Sequence, residues 1–201
     1  MSWITIIPYK EATGKLKKLY DRVKGPNNNV DNIMLAHSLR PHSMAGHMAL
    51  YKNVLHNSEN TIPKWFLETI GVYVSKLNNC DYCIKHHSKG LEKLLNNSQE
   101  FNNIIVNLQS HLFCKIFDNK YEKALNYSKL LTLNPEKVLK ADIDELIKVG
   151  FSNGEVLEIN QVVAYFNYAN RTVLGLGVNT NDDILGLSPN DIFNEKSWNH
   201  Q

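Results

Sequence analysis

Pro63-Lys64-Trp65-Phe66-Leu67-Glu68-Thr69-Ile70-Gly71-Val72-Tyr73-Val74-Ser75-Lys76-Leu77-Asn78-Asn79-Cys80-Asp81-Tyr82-Cys83-Ile84-Lys85-His86-His87 joins two helical patterns across one break. In the first, Phe66, Ile70, Tyr73, Val74 and Leu77 keep helical spacing, and Pro63 suits a first turn. Asn78-Asn79 interrupts the pattern, and Asn79 is a good N-cap for a second helix running through Leu91, Leu94 and Leu95. The same periodicity recurs along the chain, and no segment sustains the strict alternation of a strand. The expected fold is therefore all-α, a helical bundle with short connections.

Working outward, the pattern predicts helices over 11–24, 32–39, 41–55, 101–116, 121–131 and 135–149. Asn134-Pro135 reads as an N-cap with proline at the first helical position. Ser152-Asn153-Gly154-Glu155 reads as a capping box opening a long helix through Val163, Phe166 and Val173, which Gly175 and Gly177 end. With no strong linker, the expectation is a single domain over 1–201, with 179–201 a polar C-terminal tail that includes Trp198.

The 201 residues suffice for one sizeable core, and a net charge of +2 gives no argument for nucleic acid or an anionic membrane. No apolar run approaches the roughly eighteen residues a membrane helix needs, and Met1 to Pro8 makes a poor signal peptide. Three cysteines are too few and too odd a set for a disulfide-stapled secreted domain, which points to a reducing, cytoplasmic setting. Cys114, among Leu112, Phe113, Ile116 and Phe117, reads as a small buried hydrophobe.

On a helix, Cys80, Cys83 and His87 lie within about one-sixth of a turn of each other. Amide groups at a helix start favour thiolate formation, and His87, one turn beyond Cys83, is positioned to take its proton. Glu68, in apolar company on the preceding helix, could orient that imidazole; taken alone it also fits a solvated residue on an amphipathic helix. A CxxC pair also admits disulfide exchange, redox sensing, a structural role, or a mixed metal site of Cys80, Cys83, His87 and Glu68, although neither a second CxxC nor an HxxxH pair is present. His86 reads as a solvated helix residue, and His37, His42, His47 and His56 as surface and packing residues. Tyr165, Phe166 and Tyr168 read as core.

With Glu68, Cys80, Cys83 and His87 at this spacing, the chain resembles the alkylhydroperoxidase AhpD family, in the peroxidase-related branch of the carboxymuconolactone decarboxylase superfamily. Leu35-Ala36-His37-Ser38-Leu39-Arg40-Pro41 and Ala164-Tyr165-Phe166-Asn167-Tyr168-Ala169-Asn170-Arg171 resemble segments of that branch, so the likeness covers most of 10–178. It implies an AhpD-like helical fold and a thiol-dependent peroxidase. Cys83 would attack the hydroperoxide and become a sulfenic acid, Cys80 would resolve it as a disulfide, and Glu68 and His87 would relay the proton. It further implies a dithiol reductant protein, lipoylated in the best-known members, and a homo-oligomer, with no metal and no other cofactor. One departure is Tyr82, where those members carry a histidine; a phenol is a poor base near neutral pH. The alternatives are a thiol–disulfide oxidoreductase or redox sensor without peroxidase activity, and a non-enzymatic metal-binding module.

Overall fold

The computed structural model of the chain describes residues 2–189, 194 and 198–201. Among them lie the helices α1 (Gly14–Val23), α2 (Asn32–Ala36), α3 (Pro41–Leu55), α4 (Lys64–Leu77), α5 (Asp81–Leu95), α6 (Ser98–Ser110), α7 (Asn119–Leu133), α8 (Lys140–Lys148) and α9 (Asn153–Leu176), with no named strand. No helix among the described residues is long and apolar enough to cross a membrane.

The helix α4 is central because its sequence is apolar on every side: every residue from Phe66 to Ser75 is buried. It packs against α5, α7 and α9, and more lightly against α3 and α6. Its approach to α9 depends on Gly71, where an added Cβ would fall 2.2 Å from the Phe166 ring. The junction between α4 and α5 is equally specific. Asn79 takes the left-handed region at φ 53°, its N–H donates to Lys76 O at 3.1 Å, and Cys80 N–H donates to Ser75 O at 2.9 Å. These bonds close the end of α4 and fold α5 back along it.

Several boundaries differ from the sequence pattern for identifiable reasons. Asn79 is consumed in ending α4, so the N-cap position of α5 falls to Cys80. The segment 135–149 is split: Pro135–Lys137 makes a separate 3₁₀ turn, and α8 starts only at Lys140, where Asp142 Oδ2 accepts the Leu139 N–H at 2.8 Å. Helix α6 stops at Ser110 on the left-handed His111, and the turn that follows sends Phe113 and Phe117 inward but Cys114 outward. Cys114 is thus exposed, not a buried hydrophobe. The Ser152–Glu155 capping box forms in both directions, at 3.1 and 2.7 Å, and Gly177 ends α9 at φ 62°.

In the 179–201 segment, Trp198 is buried with the Arg22 guanidinium 3.9 Å above its ring. His37, His47 and His56 are packing residues, while His42 is exposed. Of the set Tyr165, Phe166 and Tyr168, the first two are core and Tyr168 is exposed.

Two predictions follow from this packing. Gly71→Ala forces α4 and α9 apart and should destabilise the protein by about 1–3 kcal/mol, read as a lower denaturation midpoint. His47 Nδ1 and both nitrogens of His56 are buried without a hydrogen-bond partner, and burial pushes both imidazoles' pKa down, that of His47 to about 3. The unfolded chain binds protons at these rings below about pH 6.5 and the folded chain does not, so stability falls as pH drops. The His47 ring should cost about 2 kcal/mol at pH 5 relative to pH 7.5, and His56 acts in the same direction. Urea midpoints that stay level over that range would show that the rings are not held neutral.

Candidate active site

The two thiols occupy the start of α5, where it leaves the turn at Asn79. Both are free and buried: Cys80 is fully enclosed, and Cys83 is the one that lines a cavity of about 160 Å³. An engineered cavity of about 150 Å³ accepts a benzene molecule, so this one holds a body of roughly that size. Its walls include Ile33, Met34, Leu94 and Tyr165, with Gly186 and Leu187 contributed by the C-terminal segment.

His87 lies one turn beyond Cys83 and lines the same cavity. Its Nδ1–H donates to Glu68 Oε2 at 2.8 Å, and the ring edge meets Phe166 at 4.6 Å between centroids. Glu68 is 4% exposed, so it is not the solvated carboxylate that an amphipathic helix would present. The bond fixes the imidazole tautomer and leaves Nε2 as the nitrogen free to exchange a proton in the cavity. The fold thus brings together Glu68, His87 and Cys83, with Cys80 behind the thiol that lines the cavity.

The two sulfurs are unlike. The Cys83 thiol, donating toward Cys80, lowers the Cys80 pKa; burial opposes this, and the Cys83 N–H and the Asn170 amide assist it. Cys83 is held protonated, first by that same interaction and then by burial. Negative charge is therefore favoured on Cys80 over Cys83, whereas Cys83 is the sulfur that lines the cavity. Cys83 favours the neutral thiol, and the His87 imidazole lines the same cavity.

Three groups at this site were missed or misread from sequence. Asn170, fully buried on α9, donates to Ser75 Oγ at 3.1 Å, accepts from Asn78 at 2.9 Å and lowers the pKa of both thiols. It fell inside a segment already singled out, but no spacing rule ties residue 170 to residue 80. His86 is not solvated: its Nε2–H donates to the buried Asp183 Oδ2 at 3.1 Å, and Asp183 also accepts the Asn32 N–H at 3.0 Å. The Tyr82 hydroxyl accepts the Ile33 N–H at 3.2 Å, its ring lies 4.6 Å from His86, and burial raises its pKa well above the ordinary phenol value. Tyr82 is thus a strut between α5 and α2, not a base.

Among the described residues no three of His, Cys, Asp or Glu are placed to grip one metal ion, so the mixed site of Cys80, Cys83, His87 and Glu68 is not formed. The role of Asn170 can be read directly. Asn170→Ala removes a donor from both sulfurs, so both thiols should ionise at higher pH than in the wild type. An unchanged ultraviolet thiolate titration would refute that role.

No protein-family model matches the chain. The uncharacterized protein YdfG of Bacillus subtilis is 21% identical over 122 residues, which is 61% of this chain and 80% of that protein. A peroxidase-related protein with an alkylhydroperoxidase AhpD core from Ralstonia eutropha superposes with a TM-score of 0.74 at 20% identity, covering 92% of this chain and 96% of its own. A peroxidase-related protein from Silicibacter gives 0.71 at 20% identity, covering 90% of each chain. The debrominase Bmp8, solved with 2,3,4-tribromopyrrole, gives 0.70 at 16% identity, covering 90% of this chain and 92% of its own. The helical frame that gathers Glu68, Cys83 and His87 around one cavity, with Cys80 enclosed behind it, is the AhpD-like fold.

Proposed function

We propose that the protein is a thiol-dependent peroxidase that reduces organic hydroperoxides through a dithiol–disulfide cycle at Cys83 and Cys80. The observation that carries this reading is the placement of Cys83 and a carboxylate-backed His87 on the same cavity, with the second thiol directly behind. His87 Nε2 accepts the Cys83 proton as the sulfur attacks the terminal peroxide oxygen. The O–O bond breaks, the departing alkoxide takes the proton back from the imidazolium, and the products are an alcohol and a Cys83 sulfenic acid. Glu68 stabilises the imidazolium between those transfers. Cys80, the sulfur on which negative charge is favoured, then attacks the Cys83 sulfur; hydroxide leaves, collects the Cys80 proton as water, and a disulfide remains.

An external dithiol closes the cycle by two exchange steps and is itself oxidised. Both sulfurs lie below the surface and are approached through the cavity, which favours a slender dithiol such as a protein-borne lipoyl arm over the bulky active-site loop of a partner protein. The same enclosure weighs against a plain thiol–disulfide oxidoreductase. A second electrophile deserves a place in the assay because Bmp8 is a debrominase and this cavity is ring-sized with tyrosine walls. An aryl halide would be reduced to the arene and halide with the same two thiols becoming the disulfide.

Mass spectrometry of reduced protein after stoichiometric hydroperoxide tests the reading. Wild type should form the Cys80–Cys83 disulfide, Cys80→Ser should stop at a Cys83 sulfenic acid, and Cys83→Ser should lose turnover. Glu68→Gln should slow peroxide consumption on the order of a hundredfold. Full turnover by Cys83→Ser would overturn the assignment.

A further inference from the structure

Two buried phenols stand on the wall of the cavity that Cys83 lines. Tyr51, on α3, and Tyr165, on α9, are 8% and 4% exposed, and both line that cavity. Their ring centroids lie 6.0 Å apart. Tyr51 packs edge-on against His56 at 4.6 Å, and Tyr165 against Phe166 at 5.3 Å, the ring that covers His87. These contacts hold both side chains in place before any ligand arrives. Neither hydroxyl makes a hydrogen bond among the described residues. His47 Nδ1 and His200 Nε2 are unpartnered as well, but they are sealed among neighbouring atoms and the two hydroxyls are not. For residues this enclosed, the open space the hydroxyls meet is the cavity they line.

Buried polar groups are nearly always hydrogen-bonded, so an unpaired donor on a cavity wall marks a place for an acceptor. Burial first, and then neighbouring charge, raises both phenol pKa values well above the ordinary value. Glu68 and Asp31 act on Tyr51; Tyr51, Cys83, Tyr168 and Glu68 act on Tyr165. Both phenols thus keep their protons near neutral pH, and Tyr165 is within electrostatic reach of the Cys83 sulfur. We propose that Tyr165 and Tyr51 donate hydrogen bonds to the oxygen that departs when Cys83 attacks a hydroperoxide, forming a two-donor hole for it. This rests on the peroxidase reading and adds two catalytic residues to it. The Cys83 sulfur bonds to the terminal oxygen, the O–O bond breaks, and its electron pair stays on the departing alkoxide oxygen. The two phenols stabilise that charge while the proton arrives from the His87 imidazolium, and they leave the step as phenols.

Tyr165→Phe and Tyr51→Phe remove the hydroxyls and keep the packed rings. The test is the rate of Cys80–Cys83 disulfide formation in reduced protein, followed by quenched flow and mass analysis. Two small oxidants are compared: tert-butyl hydroperoxide expels a strongly basic alkoxide, whereas peracetic acid expels a carboxylate that needs little stabilisation. With tert-butyl hydroperoxide each variant should be slower than wild type on the order of a hundredfold, and with peracetic acid the loss should be at least about tenfold smaller. Alkylation of Cys83 by iodoacetamide, which expels no oxygen, should keep its wild-type rate in both variants. Equal slowing with the two oxidants, no slowing with either, or a matching loss of alkylation rate would each overturn the proposal and leave the peroxidase reading in place. A wild-type protein that forms no disulfide with either oxidant would remove the peroxidase reading and the proposal with it.

Discussion

A carboxylate buried among aromatic and aliphatic side chains is tolerable only with a partner, and Glu68 has one partner positioned for it, the His87 imidazole. That single requirement organises the centre of the molecule. It demands that α5 fold back on α4, which the left-handed Asn79 turn accomplishes. It demands that α9 come close enough for Phe166 to cover the imidazole, which Gly71 permits by having no Cβ. With these in place Cys83 faces the cavity and Cys80 faces the interior, although the two belong to one turn of one helix.

The asymmetry between the sulfurs comes first from the contact between them, which lowers the Cys80 pKa and raises that of Cys83. Burial adds to the rise at Cys83, whereas at Cys80 it opposes the fall, which the Cys83 N–H and the Asn170 side chain assist. Cys83 meets the cavity but is held neutral, so its reactivity depends on the imidazole beside it. Of the two sulfurs, one lines the cavity and the other is the one on which negative charge is favoured.

The C-terminal segment contributes more to the site than its polar composition suggests. Asp183 holds His86 and caps the start of α2, Gly186 takes the Lys93 ammonium, and His200 stands by Asp31. Gly186, Leu187, Ser188 and His200 of this segment line the cavity together with Glu68. The contacts also explain why His86 and His87, adjacent in sequence, do different work: each imidazole is backed by a carboxylate from a different part of the chain.

Sequence alone determined the all-α class, most helix positions and the thiol–imidazole face of α5, because helical periodicity and CxxC-to-histidine spacing are local properties of one segment. The pairing of Glu68 with His87 was legible only as a possibility, since nineteen residues of chain had to turn back through Asn79 to make it. The burial of His86 on Asp183 and the Asn170 contacts link residues about ninety or more positions apart. No periodicity encodes such relations. Only tertiary structure decided which groups were paired and which sulfur was reachable, because burial and pairing are properties of the space between elements.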